Sequence, residues 1–271
     1  MRPGAMLSSL AMLLALTLIT AAAYLAASAL ARLGLRHVGT TAAIAMVIHA
    51  WLLNLQLFRH GALTIGVTEG VSLIAWLSAL LLWTACWRQP LQMLGVLLYP
   101  VAALATLLAT LLPSPSQALP MRDWRLETHV VLSVLSAGVM TLAALQSLAL
   151  AAQDRLLHHY SSTGWAVRLP PLQTMERLLF GTIALGWWLL SCTLLTGFLF
   201  VEDLFAQHLV HKTILSIFAW AVFGILLLGR MRFGWRGRRA IRWTLAGYLL
   251  LILAYFGSKV VLELILGKHW G

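Results

Sequence analysis

The sequence predicts an all-α membrane protein, a polytopic bundle of about eight transmembrane helices with both termini outside. Three observations support this fold class. Of the 271 residues, 61% are hydrophobic and 10% are charged, which leaves too little polar surface for a water-soluble fold. The apolar residues form runs of about 20, long enough at about 1.5 Å per residue to cross a hydrocarbon core of about 30 Å. The basic residues lie at the ends of these runs, as expected for a protein oriented in a membrane.

The apolar runs predict eight helices within one transmembrane domain, residues 1–271. They lie at about 6–31, 40–58, 70–87, 93–112, 128–152, 178–200, 209–229 and 243–266. The first run is longer than the apolar core of a signal peptide, and its charges, Arg32 and Arg36, follow it. We therefore expect it to be retained as a helix.

Proline and polar residues predict the connections between these helices. The tripeptide Arg88–Pro90 predicts a tight turn between helices 3 and 4. The run PSPSQALP at 113–120 predicts a loop that does not continue as a helix, and 154–177 is the longest polar loop. The pair Pro170-Pro171 interrupts the chain just before helix 6.

The distribution of positive charge predicts the orientation of the helices. Twelve of the 19 lysines and arginines lie in odd-numbered loops, and seven lie in the even-numbered loops and at the ends. Since positive loops are retained in the cytoplasm, we expect the odd loops there and both termini outside. Six of the twelve flank the turn between helices 7 and 8: Arg230, Arg232, Arg236, Arg238, Arg239 and Arg242. The net charge of +11 thus reflects membrane orientation, and no soluble basic domain exists to bind nucleic acid.

The cysteines and the deeper tryptophans are predicted to pack inside the bundle. Cys86 and Cys192 lie in apolar runs without a CxxC motif, which favours buried small hydrophobic residues over a redox pair. Most of the tryptophans far from helix ends are expected in the core, although they could line a pocket for a flat ligand. They are Trp51, Trp76, Trp187, Trp188 and Trp220.

His49 is a candidate functional side chain predicted to lie near the middle of the membrane, because it is near the middle of helix 2. A polar ring in hydrocarbon needs a partner or a cavity. Gln56 lies seven residues on and extends a polar stripe on the same face. Two interpretations stay open at this point: a hydrogen bond to a neighbouring helix, or an axial bond to haem iron.

Several segments, in order, resemble the integral-membrane cytochrome c assembly family, which includes CcsA-like haem handlers and HemX-like and YpjD-like relatives. The segments are WRLETHVVLSVLSAGVMTLAAL (124–145), LPPLQTMERLLF (169–180), HKTILSIFAW (211–220), GWRGRRA (234–240) and AYFGSK (254–259). The YpjD-like branch is the most similar, over about 220 residues from Ala43 onward. The resemblance implies a multi-pass protein of the bacterial inner membrane that binds or handles haem.

The resemblance also implies candidate ligands for a non-covalent, b-type haem: His129 first and His49 second, with His269 near the place of a second external histidine in CcsA-like members. His211, at the outer start of helix 7, is a further candidate by its position. His129 opens helix 5 on the predicted outer side, where CcsA-like members have an external histidine; otherwise it is a headgroup-level side chain. Because His49 lies much deeper, we expect it and His129 to serve different sites or successive positions. The second ligand at His129 is expected from His211, His208 or His269.

The chain departs from CcsA-like haem ligases at two places. The stretch FVEDLFAQHLVHK at 200–212 lacks their tryptophan-rich motif, and ILLLGRM at 225–231 lacks a histidine expected near the end of helix 7. Covalent haem attachment is therefore not expected. No nucleophile–base arrangement, phosphate loop or zinc-protease motif occurs in the sequence, so we expect no enzyme activity.

Two other function classes remain to be weighed against haem handling. One is a non-catalytic scaffold or partner subunit that associates with another inner-membrane protein and binds no cofactor. The other is a small-solute or ion transporter, which the near absence of intramembrane carboxylates disfavours. The sequence itself does not name a partner.

Overall fold

The computed structural model describes residues 3–59, 62–112, 117–119, 124–158, 169–200 and 210–260. The chain folds into two compact units. The N-terminal unit comprises Met1–Arg122 and Ser161–Pro170, and the C-terminal unit comprises Asp123–Tyr160 and Pro171–Gly271. Each is built on four long helices. The single transmembrane domain that we expected over 1–271 stays a prediction.

The N-terminal unit packs its helices through small side chains. Its helices are α1 (Pro3–Leu33), α2 (Val38–Leu57), α3 (Val67–Ala85) and α4 (Gly95–Leu111), the last preceded by a 3₁₀ turn (Gln92–Leu94). α4 packs against α1 and α3, and α2 packs against the same two helices from the other side. Ala27 on α1 and Ala102 on α4 are fully buried. Small residues let membrane helices approach closely, which strengthens van der Waals contact where lipid offers no hydrophobic driving force.

A small antiparallel sheet joins the ends of the N-terminal helices. Its strands are β1 (Phe58–Arg59), β2 (Ala62–Ile65) and β3 (Gln117–Leu119), in the order β1-β2-β3. The non-helical loop predicted at 113–120 therefore contains a short strand, β3. Strands of two to four residues are stabilised by long-range pairing, such as Leu63 with Leu119, which no local sequence pattern reveals.

The C-terminal unit is an antiparallel four-helix arrangement. Its helices are α5 (Trp124–His158), α6 (Leu172–Phe200), α7 (Val210–Phe233) and α8 (Arg238–Val260). α5 packs against α6 and α8, and α7 packs against the same two helices. Glycines bring large side chains close to a neighbouring backbone. A Cβ built at Gly247 on α8 would lie 2.8 Å from the Phe223 ring of α7.

The all-α, multi-pass fold class is confirmed. Seven helices of the described part of the chain are long and apolar enough to cross a membrane, namely α1 to α7. The eighth predicted span, 243–266, continues past the last described residue, Val260. The outside location of both termini stays a prediction.

Several local predictions are corrected. Helix α5 extends to His158 and α6 begins at Leu172, so the polar loop predicted at 154–177 is much shorter. Trp51 and Trp188 are 60% and 64% exposed rather than in the core, and Cys192 is exposed. On a membrane helix these positions meet lipid, which is as apolar as a protein core. Hydrophobicity therefore does not distinguish the lipid face from the buried face.

Candidate functional site

His129 is held against α6 by its Nδ1 atom. It lies in the second turn of α5, half-buried, with Nδ1 3.1 Å from Oγ1 of Thr196. The Thr196 hydroxyl donates to the backbone carbonyls of Cys192 and Thr193, at 2.9 and 3.0 Å. When the threonine proton is used there, the hydroxyl accepts from His129, and the imidazole proton is on Nδ1. The Nε2 atom then carries the lone pair, the form in which imidazole binds a metal.

His129 lines a cavity of about 380 Å³ within the C-terminal unit. This His129 cavity lies where α5 and α7 begin and α6 and α8 end. The apolar part of its wall is Leu190, Leu194, Phe198, Ile217 and Ala254, with Gly197 beside them. The polar part is His129, Ser133, Thr193, Lys212, Thr213, Ser216 and Tyr255. Its volume is within the range of roughly 300–1,000 Å³ for small-molecule pockets.

The polar side chains of the His129 cavity provide one cation among hydroxyls. Lys212, near the start of α7, is the only Lys or Arg that lines it within the described residues. The Ser133 hydroxyl donates to the His129 carbonyl at 2.7 Å, and Tyr255 Oη donates to the Ser133 carbonyl at 3.3 Å. These bonds tie α8 to the turn of α5 that carries His129. The cavity thus suits a largely apolar ligand that also carries an anionic group.

Gly197 allows the imidazole ring to lie against the α6 backbone. A Cβ at this position would lie 3.1 Å from Cε1 and 3.6 Å from Nδ1 of His129. The first distance is tighter than ordinary van der Waals contact, so any larger residue would displace the ring. Thr196 and Gly197 of α6 together fix the position of the His129 ring against that helix.

His49 is fully buried in the N-terminal unit, with hydrogen bonds at both ring nitrogens. Nδ1 lies 3.1 Å from the Tyr24 hydroxyl of α1, and Nε2 lies 2.8 Å from the Ser72 hydroxyl of α3. The Tyr24 ring meets the imidazole edge to face and stacks on Tyr99 of α4. Neutral imidazole offers one donor and one acceptor, and this pair of hydroxyls satisfies both. An iron bond to either nitrogen would require one hydrogen bond to break.

The polar stripe predicted on α2 continues from His49 to Gln56. Gln56 is buried, and its Nε2 donates to Thr110 Oγ1 on α4 at 2.9 Å. Thr110 also contacts the hydroxyl of Thr17 on α1 at 2.9 Å. The buried polar groups of α2 are therefore satisfied by three neighbouring helices, as required in a bilayer.

The remaining candidate ligands lie outside what the structure describes. The backbone of His211 is part of α7, but the structure does not describe its side chain. His208 and His269 lie outside the described residues. His49 belongs to the N-terminal unit and His129 to the C-terminal unit. The four histidines stay predictions as haem ligands.

The described residues contain no group of three or more His, Cys, Asp or Glu side chains that could hold a metal ion. A site in which protein side chains supply most of the metal ligands is therefore absent from this part of the chain. Haem needs only one or two axial ligands, because its four pyrrole nitrogens supply the others. One imidazole beside an apolar cavity meets that lower requirement.

Sequence reasoning missed Thr196, which contacts His129, and Lys212 and Tyr255, which line the same cavity. Thr196, Lys212 and Tyr255 come from three other helices, and none belongs to a motif with His129. A usable signal was that each lies near the same predicted membrane face as His129. Ser72, which contacts His49, was also missed; it lies one helical turn after the buried Glu69.

Comparison with known proteins gives consistent matches over most of the chain. The model of the cytochrome C assembly protein family matches residues 38–266. The inner membrane protein YpjD of Escherichia coli K12 is 32% identical over 227 residues, covering 83% of this chain and 86% of that protein. An uncharacterized 28.8 kDa protein of Azospirillum brasilense is 34% identical over 203 residues, 74% of each chain. No solved structure matches. With seven membrane-capable helices, these matches place the chain in the inner membrane as a multi-pass protein.

Proposed function

Because the chain belongs to the cytochrome c assembly protein family, we propose that it binds haem at the His129 cavity of the C-terminal unit. The observation that carries this proposal is the hydrogen bond from His129 Nδ1 to Thr196. With the imidazole proton on Nδ1, Nε2 carries the lone pair, on a side chain that lines a largely apolar cavity. Metal-binding histidines commonly have their other nitrogen fixed in this way.

The lining of the cavity fits the chemistry of a non-covalent haem. The apolar wall of leucines and Phe198 suits the faces of a porphyrin, and the Lys212 ammonium suits a propionate carboxylate. When bound, haem supplies an iron that accepts imidazole nitrogen as an axial ligand. We propose that His129 supplies one such nitrogen and that His211, His208 or His269 supplies the second. His49, with both nitrogens hydrogen-bonded, is a weaker candidate.

We propose that the protein carries or holds haem without catalysing its attachment. The sequence between Phe200 and Lys212 contains no tryptophan, which supports this proposal. CcsA-like haem ligases have a tryptophan-rich segment at that place. The competing class is a helical scaffold that associates with another inner-membrane protein and binds no cofactor. Exposed apolar helix faces, as seen in the described residues, are expected both of a haem-binding membrane protein and of a scaffold. A measurement of bound cofactor therefore separates the two classes.

The test is the absorption spectrum of detergent-purified protein, as isolated and after haem supplementation. We expect a Soret band from the wild type, and near-background haem content from His129→Ala. Thr196→Val keeps the side-chain shape but removes the acceptor for Nδ1–H, so haem affinity should fall about tenfold or more. His37→Ala is the control, because His37 is an exposed histidine before α2.

Two outcomes would contradict the proposal. A wild type without a Soret band after supplementation would favour the scaffold. Wild-type haem content and spectrum in His129→Ala would make the site assignment wrong, even if haem binds elsewhere. Replacing His208, His211 and His269 separately by Ala identifies the second ligand, since its loss shifts the spectrum without removing His129.

A further inference from the structure

The C-terminal unit has a second cavity, at the opposite end from the His129 cavity. This arginine pocket has a volume of about 340 Å³ and lies where α6 begins and α7 ends. Its lining is Gln173, Thr174, Glu176, Arg177, Arg230 and Arg236. Unlike the His129 cavity, its lining is polar and largely cationic. Its residues have no part in the proposed haem site.

The wall of the arginine pocket is fixed by the hinge between α7 and α8, residues 234–237. Arg230 donates from a guanidinium nitrogen to the Trp235 carbonyl at 3.1 Å, and its guanidinium lies 4.8 Å from the Phe180 ring centre. Glu176 Oε1 accepts from the Gly237 backbone N–H at 2.7 Å. The hinge is therefore connected to α6 through both the Arg230 guanidinium and the Glu176 carboxylate. Arg230 is positioned before any ligand arrives, which lowers the entropy cost of binding.

The charges in the arginine pocket do not balance. It holds three guanidinium groups and one carboxylate, Glu176, which the Gly237 N–H already engages. Over 169–200 and 210–260, no carboxylate forms an ion pair with Arg177 or Arg236. Asp154, at the end of α5, instead pairs with Arg238 at 3.2 Å. The pocket therefore presents about two net positive charges, and the positive end of the α6 dipole adds to them.

We propose that the arginine pocket binds a phosphate group through Arg177, Arg230 and Arg236. Guanidinium groups present planar, paired donors that match phosphate oxygens, and such charge-assisted hydrogen bonds are among the strongest in proteins. The Gln173 amide and the Thr174 hydroxyl add neutral donors. The volume admits a phosphate with a small substituent, such as a glycerol ester.

The position of the arginine pocket leaves two sources for the phosphate. Met231 and Phe233, beside it on the last turn of α7, are 81% and 77% exposed. Exposed apolar side chains next to a cationic pocket are typical of a helix end at a membrane surface. An anionic phospholipid headgroup can reach the pocket from the bilayer, and a soluble phosphate ester can reach it from the water.

The test uses delipidated, detergent-purified full-length protein titrated with phosphatidylglycerol, with phosphatidylcholine, or with glycerol phosphate. Binding is followed by native mass spectrometry and by thermal stabilisation. The pocket variant is Arg177→Gln with Arg236→Gln. The matched control is Arg232→Gln with Arg242→Gln, which removes the same charge from exposed arginines outside the pocket. We expect the pocket variant to bind at least about tenfold more weakly than the wild type, and the control to bind normally.

Each arm gives a definite result. Selective loss of phosphatidylglycerol binding supports the pocket with a lipid headgroup, and selective loss of glycerol phosphate binding supports it with a soluble ester. Equal loss in both double variants would show general surface attraction and overturn the proposal, as would absence of binding to the wild type. If the pocket variant does not purify, Arg236→Lys is compared with Arg242→Lys. Only the former should weaken binding, because lysine keeps the charge but lacks the paired donors.

Discussion

Replacing His49 with alanine tests whether this buried histidine holds the N-terminal unit together. The substitution removes both hydrogen bonds of the ring, to Tyr24 at 3.1 Å and to Ser72 at 2.8 Å. Side-chain hydrogen bonds between membrane helices contribute about 0.6 kcal/mol on average and up to about 1.7 kcal/mol. The two bonds are therefore worth about 1–3 kcal/mol.

The same change leaves a cavity, because the His49 ring is fully buried. Large-to-small substitutions in a core cost about 2–5 kcal/mol, and imidazole is smaller than the rings at the top of that range. With partial collapse of the site, we expect the two effects to lower the free energy of unfolding by about 3–5 kcal/mol. Haem content per folded molecule should stay at the wild-type level.

The assay is reversible unfolding in mixed micelles with increasing SDS, followed by far-UV circular dichroism. His37→Ala is the control for removing an exposed histidine. Ser72→Ala and the double variant complete a cycle that should give a coupling energy of about 0.5–1.5 kcal/mol between His49 and Ser72. A His49→Ala protein that unfolds like the wild type but loses its Soret band would refute this reasoning. His49 would then be an iron ligand.

Two further predictions concern topology and the hinge. Reporter fusions at Ser161 and Gly234 should be cytoplasmic, and a fusion at Ser116 should be external. The reason is that twelve of the 19 basic residues lie in the odd-numbered loops. A cytoplasmic reporter at Ser116 would contradict the predicted orientation. Gly237→Ala should lower the free energy of unfolding by about 1–2 kcal/mol, since Gly237 has φ of 56°, a left-handed conformation costly for other residues. Gly181→Ala on α6 is its control, because apart from the adjoining residues and backbone of α6 itself no atom lies within 4 Å of a Cβ built there. This change should be neutral or stabilising, and equal losses in both variants would contradict the backbone argument.

The family resemblance supplied the histidines proposed as haem ligands, while the structure distinguished their surroundings. His49 and His129 are both polar residues in apolar runs, and in sequence they differ mainly in depth. In the structure His49 has hydroxyls at both nitrogens, whereas His129 is fixed at Nδ1 and lines a cavity. Sequence spacing along one helix cannot supply this distinction, because the partners come from other helices.

The sequence by itself determined the number, type and approximate limits of the helices. Each apolar run must satisfy its own backbone hydrogen bonds in lipid, so length and composition fix the helix locally. The predicted run 40–58 became α2, Val38–Leu57, and the prolines at 170 and 171 mark the start of α6 as expected.

Only the tertiary structure decided which face of each helix is buried and which polar groups meet. Lipid and protein core are equally apolar, so Trp51 and Trp188 could not be told from core tryptophans by composition. The bond between Thr196 and His129 joins residues 67 positions apart, and that between Glu176 and Gly237 joins residues 61 apart. Such pairs form because packing brings helix ends together, and local sequence carries no record of that packing.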